Sequence, residues 1–251
     1  VLIVIDPAAQ RADGEAVRIA RDVLCAGAGG AQIRFLDRPG AMPRVLARRG
    51  GHRVVLVGDD RTLLRALTAL LWDGGGHGVA GDGPLAIVPV GPVPLVAVAR
   101  ALGVPADPVR ASRAVLAGAE RRVDLLTDDA GGAVPGALGL GIPARRAPLW
   151  RHPMRPGSVR QRLRVEGDGR LLADTDRPVA GVSVRPAGGL AEVVVRPCGP
   201  VTPARDVRAR VSSVTVSGAA FSYRAGAVDL GPAWARTWTV RPGALRLTVP
   251  R

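Results

Sequence analysis

The first half of the chain alternates short apolar runs with stretches of helical period. Val1–Ile5, Gln32–Leu36, Val54–Val57 and Leu85–Val88 are the apolar runs, with the length and character of strands buried in a sheet. Between them, Glu15–Leu24 sets Val17, Ala20, Val23 and Leu24 on one helical face, and Thr62–Trp72 carries leucines at helical spacing. Strand–helix alternation of this kind predicts an α/β domain, doubly wound around a mainly parallel sheet with helices on both faces. Such sheets bind ligands beyond the carboxyl ends of their strands, where the unusual loops of this chain fall.

After Leu125 the pattern changes twice. Asp128–Ser158 is rich in Gly, Ala, Pro and Arg, and is expected to be a linker or irregular crossing over 128–158. Beyond it the period becomes two. Leu163–Val165, Val182–Val184, Ala191–Val195, Val211–Val216 and Ala244–Val249 are expected strands. Turns fall at Gly167-Asp168-Gly169, Gly188-Gly189 and Pro242-Gly243. The expected organisation is therefore an α/β domain over 1–127 and an all-β, sandwich-like domain over 159–251. Asp168-Gly169 has the residues of a type I′ hairpin turn.

Composition narrows the chemistry. Hydrophobic residues make up 47% and aromatics 3% of the 251-residue chain, so its cores are built from Val, Leu and Ala. The net charge is +14 with no lysine, so the whole excess rests on arginine. It predicts attraction to phosphates, anionic lipid surfaces or nucleic acid; an excess of merely solvated surface arginines stays open beside this. No groove-reading motif or interleaving of aromatic with basic residues supports nucleic acid. The longest apolar candidate, Leu85–Ala99, is broken by Pro89, Pro92 and Pro94, which argues against a membrane span. Without lysine there is no Gly-x-x-x-x-Gly-Lys phosphate loop. His52, His77 and His152 are scattered, and Cys25 and Cys198 lack ligand spacing, so no metal site is expected and the cysteines are expected to be reduced thiols. Trp234 and Trp238 are expected to be a packing pair or strand-end anchors.

Three loops that follow predicted strands carry the candidate chemistry. Gly58-Asp59-Asp60-Arg61-Thr62 leads from a strand into a helix. A glycine there lets main-chain N–H groups approach phosphates, and the helix start favours anions. The same residues also describe a capped helix start, with Asp or Thr supplying the cap oxygen. Pro89-Val90-Gly91 is followed at short distance by Ala99-Arg100-Ala101-Leu102-Gly103-Val104-Pro105. Val123-Asp124-Leu125 leaves the first domain, and Asp6-Pro7 stands near its start. In the second half, Arg185-Pro186-Ala187-Gly188-Gly189-Leu190 turns into a strand, and Arg241-Pro242-Gly243-Ala244-Leu245-Arg246 lies near the end.

In order and approximate spacing these segments resemble the diacylglycerol/lipid kinase family and its NAD-kinase relatives. The first loop resembles the family's Gly-Gly-Asp-Gly-Thr, with Asp59 and Arg61 in place of two glycines. The second resembles Pro-x-Gly-Thr, with Pro92 at the threonine and apolar residues in place of a following Asn-Asp. The resemblance implies an ATP-binding α/β domain, a β-sandwich and a cleft between them. It implies transfer of the γ-phosphoryl of ATP, with Mg²⁺, to a lipid hydroxyl. Carried over by residue, Asp6, Gly58, Asp59, Asp60, Arg61, Thr62 and Gly91 would meet the nucleotide, with Asp60 the best surviving polar candidate. The general-base position falls at Gly188, which cannot accept a proton. The alternative is a catalytically inactive pseudo-kinase that binds a nucleotide or an anionic membrane lipid. Either protein is expected to be cytoplasmic, peripheral at most to the inner face of the membrane.

Overall fold

The computed structural model describes residues 1–73, 83–141, 160–198 and 205–251. Its elements run β1 (Leu2–Ile5), α1 (Pro7–Ala12), α2 (Gly14–Gly27), β2 (Gln32–Phe35), α3 (Met42–Ala47), β3 (Val54–Gly58), α4 (Asp60–Asp73), β4 (Ala86–Pro89), α5 (Ala97–Ala101) and α6 (Pro108–Ala117). Strands then dominate: β5 (Ala119–Asp128), β6 (Ala133–Val134), β7 (Leu138–Leu140), β8 (Leu163–Gly167), β9 (Arg170–Ala173), β10 (Val179–Ala187) and β11 (Leu190–Pro197). The last are β12 (Val207–Val211), β13 (Ser213–Phe221), β14 (Tyr223–Ala225), β15 (Val228–Asp229) and β16 (Ala233–Val249). The chain divides into one unit of Val1–Leu125, Gly131–Gly136 and Arg241–Arg251, and another of Leu126–Ala130 and Ala137–Val240. The long strands β5 and β16 contribute to both.

The first unit is built on a parallel sheet of order β2-β1-β3-β4. Strands β1, β3 and β4 are buried along their whole length, as their unbroken apolar sequences require of a sheet covered on both faces. Helix α2 packs with α6 and α3 packs with α4. From β1 the chain leaves toward β2, whereas from β3 it leaves toward β4. The direction of winding therefore reverses between β1 and β3, and the loops after these two strands border the crevice where doubly wound sheets take ligands. The end of the chain returns to this unit: Leu85 N–H donates to Arg246 O at 2.8 Å and Thr248 N–H to Leu85 O at 2.9 Å.

The second unit is all β. Strands β12-β11-β10-β7-β14-β15 form one sheet, and β13, β8 and β9 belong to the other, of order β6-β5-β16-β13-β8-β9. Alternate residues fill the space between the sheets, including Val182, Val184, Val193, Val195, Val165, Val214, Val216 and Trp238. The sheets approach so closely at Gly167 that an added Cβ would lie 2.7 Å from Val211 Cγ1.

The expected strand Val211–Val216 is in fact two strands. Val211 ends β12 in one sheet, and Ser213 begins β13 in the other. Ser212 marks the crossing, where its N–H and hydroxyl donate to Asp168 at 2.9 and 2.7 Å and Ser213 N–H donates to the same carboxylate at 2.9 Å. The corner shifts the phase of the alternation, since Val211 and Val214 are both buried although three residues apart. Asp168-Gly169 is the two-residue turn between β8 and β9, both residues having positive φ (48° and 79°), as type I′ geometry demands. Trp234 and Trp238 are not a packing pair. Four residues along a strand is about 13 Å, and Trp238 is 1% exposed while Trp234 is 67% exposed near the start of β16. Within the Gly/Pro/Arg-rich stretch, β6 and β7 form among the described residues. Residues 142–158 of that stretch, with His152, lie outside the described residues, as does His77.

Candidate active site

Three loops leave the carboxyl ends of β1, β3 and β4 side by side. Asp6 N–H donates to Val57 O at 3.0 Å, and Val90 N–H donates to Gly58 O at 2.9 Å. The Val90–Gly58 bond joins the loops after β3 and β4, and glycine at position 91 permits the backbone turn that follows. The φ of Gly91 is 146°, and a Cβ there would lie 3.4 Å from Asp59 Cβ. Gly58 serves a neighbour inside its own loop: a Cβ at Gly58 would meet Thr62 Oγ1 at 2.5 Å and Thr62 Cβ at 2.8 Å. Its missing side chain makes room for Thr62 at the start of α4.

Each carboxylate of this cluster accepts hydrogen bonds from the protein itself. Asp6 caps α1 by accepting Ala8 N–H at 2.7 Å. Its other oxygen accepts the Thr62 hydroxyl at 2.7 Å and pairs with the Arg65 guanidinium. Asp59 caps α4, with Oδ1 accepting Arg61 N–H at 3.0 Å and Thr62 N–H at 3.2 Å. Thr62 has one hydroxyl proton, and it goes to Asp6, the nearer acceptor. Asp60 turns the opposite way: Oδ2 accepts Val98 N–H at 2.8 Å and Oδ1 accepts Ala99 N–H at 3.0 Å, both in the first turn of α5.

The electrostatics differ among the three. Asp6 is 1% exposed and neutralised by Arg65. Asp59 is 7% exposed, with Arg61 Nη1 at 3.8 Å from Oδ2. Asp60 is 0% exposed, and its hydrogen-bond partners among the described residues are backbone N–H groups. Burial raises its pKa above the usual carboxylate value, against the Val98 and Ala99 N–H groups, which lower it. Among the described residues no group of three His, Cys, Asp or Glu side chains is disposed to hold a metal ion.

Asp6, Gly58, Asp59, Asp60, Thr62 and Gly91 are thus gathered at one end of the parallel sheet. Arg61 is beside them with its side chain about half exposed. Arg65 was not legible as a member of the cluster. Its only sequence signal is its place one helical turn after Arg61 and three residues after Thr62.

The later motifs have local partners too. Gly103 takes φ 84° just beyond α5, and its N–H donates to Arg100 O at 2.9 Å, so this glycine ends the helix turn. Asp124 Oδ1 accepts Gly243 N–H at 2.8 Å, which joins Val-Asp-Leu to the final Pro-Gly-Ala-Leu-Arg. In the second unit, Gly188 and Gly189 form the two-residue turn between β10 and β11, with φ 60° and 78°. A Cβ at Gly188 would lie 3.4 Å from Arg210 Nη2. The Arg210 guanidinium stands at this turn.

Comparison with known proteins follows the same line. No protein-family model and no curated protein sequence matches the chain. Solved structures do. A diacylglycerol kinase from Bacillus anthracis str. Sterne superposes with a TM-score of 0.74 at 14% identity, over 99% of this chain and 96% of the other. Another structure from that organism, provisionally assigned as a diacylglycerol kinase, gives 0.77 at 13% identity with the same coverage. The chain has the diacylglycerol kinase-like fold over nearly its whole length.

Proposed function

We propose that this chain is a lipid-kinase-like protein that has given up phosphoryl transfer and works as a pseudo-kinase at anionic lipid surfaces. The observation that carries this reading is Asp60, whose two carboxylate oxygens both hold the first turn of α5 from a fully buried position. A fully buried carboxylate so engaged could turn to a phosphate, a metal ion or a hydroxyl only by giving up its hold on α5. Its neighbours support the same conclusion. Asp6 is paired with Arg65 and Asp59 closes the start of α4; in the second unit, the position that the resemblance gives to the general base is Gly188, which offers no proton acceptor. The residues present do not fit Mg·ATP as a cradle of bare main-chain N–H groups would, and no transfer step is derived through it.

The surface-binding half of the proposal rests on arginine. In the antiparallel register, Arg185 lies opposite Glu192 and Glu192 opposite Arg210, while Val194 lies opposite Arg208. Arg196 shares their face by alternation, and all four arginines are exposed while Val193 and Val195 are buried on the other side. Two acids stand among them: Asp206, paired with Arg208 at 3.3 Å, and Glu192, its pKa lowered first by the hydrogen bond from Arg185. Such a face attracts anionic headgroups by about 1 kcal/mol per arginine near the surface, fading with salt. No helix among the described residues is long and apolar enough to cross a membrane.

One observation favours the competing reading, an ATP-dependent kinase acting on a lipid hydroxyl: the likeness to solved diacylglycerol kinases spans 96% of their length. The two readings part in one assay. Purified protein, diacylglycerol in mixed vesicles and labelled Mg·ATP are expected to give no phosphatidic acid above the protein-free blank. Product formation that Asp60→Ala abolishes would overturn the pseudo-kinase reading. In parallel, sedimentation with phosphatidylserine vesicles is expected at low salt and to weaken at 0.5 M salt. Equal recovery on neutral phosphatidylcholine vesicles would remove the lipid-surface half.

A further inference from the structure

We infer that Asp59 is a built-in occupant of the phosphate-accepting end of α4, so that the chain's own carboxylate keeps nucleotide polyphosphates out of the Gly58–Thr62 loop. This rests on the pseudo-kinase reading of that loop and names what holds the loop shut.

A helix of fourteen residues presents its first N–H groups as an anion site. In α4 the Arg61 and Thr62 N–H groups both point to Asp59 Oδ1, at 3.0 and 3.2 Å. Each N–H has one proton, so a phosphate oxygen can take these donors only by displacing the carboxylate. Displacement is hindered on two sides. The loop after β4 is bonded to the residue before Asp59, Val90 N–H donating to Gly58 O at 2.9 Å, and Thr62, which shares the Asp59 cap, is also tied to Asp6 through its hydroxyl. A polyphosphate would further meet the charges of Asp59 and Asp60 at consecutive positions, with the Arg65 guanidinium already committed to Asp6. Position 59 is where the kinase-like loop pattern has a glycine, which leaves those N–H groups bare. The substitution supplies the anion in cis.

The proposal separates occupancy from charge. Asp59→Gly removes the occupant, and glycine is itself a tolerated residue at a helix start. Asp59→Asn removes the charge but keeps an amide oxygen on the same two N–H groups. ATP is added to ligand-free parent and variants, and each melting temperature is compared with its own nucleotide-free value, since a ligand of the native state must raise it. For the parent and Asp59→Asn, 5 mM ATP (about the concentration that reveals millimolar affinity) is expected to give no shift. For Asp59→Gly it is expected to give a rise of about 3 °C or more. Inorganic phosphate at the same concentration is expected to follow the same order with smaller shifts. If Asp59→Gly fails to fold, Asp59→Ala, which also leaves the N–H groups bare, replaces it.

Parent protein that shifts as much as Asp59→Gly overturns the proposal. So does a folded, unresponsive Asp59→Gly, and so does an Asp59→Asn response equal to that of Asp59→Gly, which would make charge the barrier. The labelled-ATP assay on the same preparations distinguishes the underlying reading. Nucleotide binding by the parent without phosphatidic acid sinks only the occupancy proposal, whereas phosphatidic acid from the parent sinks the pseudo-kinase reading as well.

Discussion

Asp60 Oδ2 accepts the backbone N–H of Val98 at 2.8 Å, across thirty-eight positions of sequence. With Ala99 N–H on the other oxygen, a residue of the loop after β3 becomes the cap of α5, the helix that follows β4. The polar group to which the loop's resemblance assigns phosphate chemistry is thus a joint between the starts of α4 and α5. Its backbone partners replace part of the hydration that burial removes.

Asp60→Ala is therefore expected to destabilise the protein whatever its activity. It leaves two N–H groups in a buried setting without acceptors, at a cost of about 1–3 kcal/mol each before relaxation. The desolvation of the carboxylate itself, visible in its raised pKa, offsets part of that loss. Asp60→Asn retains one acceptor and is expected to fall between parent and Ala. Urea unfolding of the three proteins orders them. Because the folded-state pKa is raised, parent stability contributed by this group falls as pH rises from the usual carboxylate value toward the folded value. The parent's disadvantage from Asp60 thus eases on acidification, and Asp60→Asn is expected not to share that trend.

The pair Asp6–Arg65 makes a second prediction. Asp6→Ala removes the cap of α1, the acceptor of Thr62 and the partner of Arg65 together, and is expected to cost about 3 kcal/mol. Arg65→Met leaves Asp6 buried with only neutral donors, but its own side chain is about one-third exposed, so a smaller loss of about 1–2 kcal/mol is expected. A double-mutant cycle between the two sites checks the pairing: a coupling energy near zero would mean that the ion pair holds nothing together.

Gly58→Ala tests whether the first glycine of the loop is there for packing. The added methyl would sit 2.5–2.8 Å from Thr62 Oγ1 and Cβ, so Thr62 must move and its bond to Asp6 must lengthen. A loss of about 1–3 kcal/mol is expected from overpacking of this kind. A glycine kept solely to admit a ligand would lose binding and leave the melting temperature alone.

Much of the fold was legible because periodicity reports burial directly. The apolar runs at Leu2–Ile5, Val54–Gly58 and Ala86–Pro89 are the buried parallel strands, and the leucines after Thr62 are the inner face of α4. What periodicity cannot carry is the path of the chain between sheets. Val211 and Val214 are both buried although three residues apart, and this shift of phase falls at the corner at Ser212, but it does not say which sheet the chain enters next. The return of Arg241–Arg251 to the first unit is hidden for another reason: Pro242-Gly243 reads as a turn, yet the seventeen-residue strand β16 runs through it, with Gly243 at φ 58°. At the site, the residues were legible and their partners were not. Gly-Asp-Asp-Arg-Thr announces a capped helix start, and Asp59 is that cap, but no local pattern links Asp60 to Val98 or Asp6 to Arg65, at separations of 38 and 59 residues. Side-chain contacts between loops of different strands arise only after the sheet has assembled.

The corner at Asp168 gives a pH-dependent prediction. Asp168 takes φ 48° in the hairpin turn, and its carboxylate accepts the Ser212 hydroxyl, Ser212 N–H and Ser213 N–H. These bonds, led by the Ser212 hydroxyl, lower its pKa below the usual 3.8. A carboxylate with a depressed folded-state pKa contributes stability that is complete above the unfolded value and is lost as pH falls through the folded one. Asp168→Asn suits the positive φ but offers a single acceptor oxygen and an amide that faces donors. The parent is therefore expected to exceed Asp168→Asn in stability at pH 6, and the gap is expected to narrow below about pH 4 and close at lower pH. Melting temperatures of the two proteins from pH 6 down to pH 2.5 measure it. A gap that stays constant across that range would mean that the carboxylate charge plays no part in holding the crossing from β12 to β13.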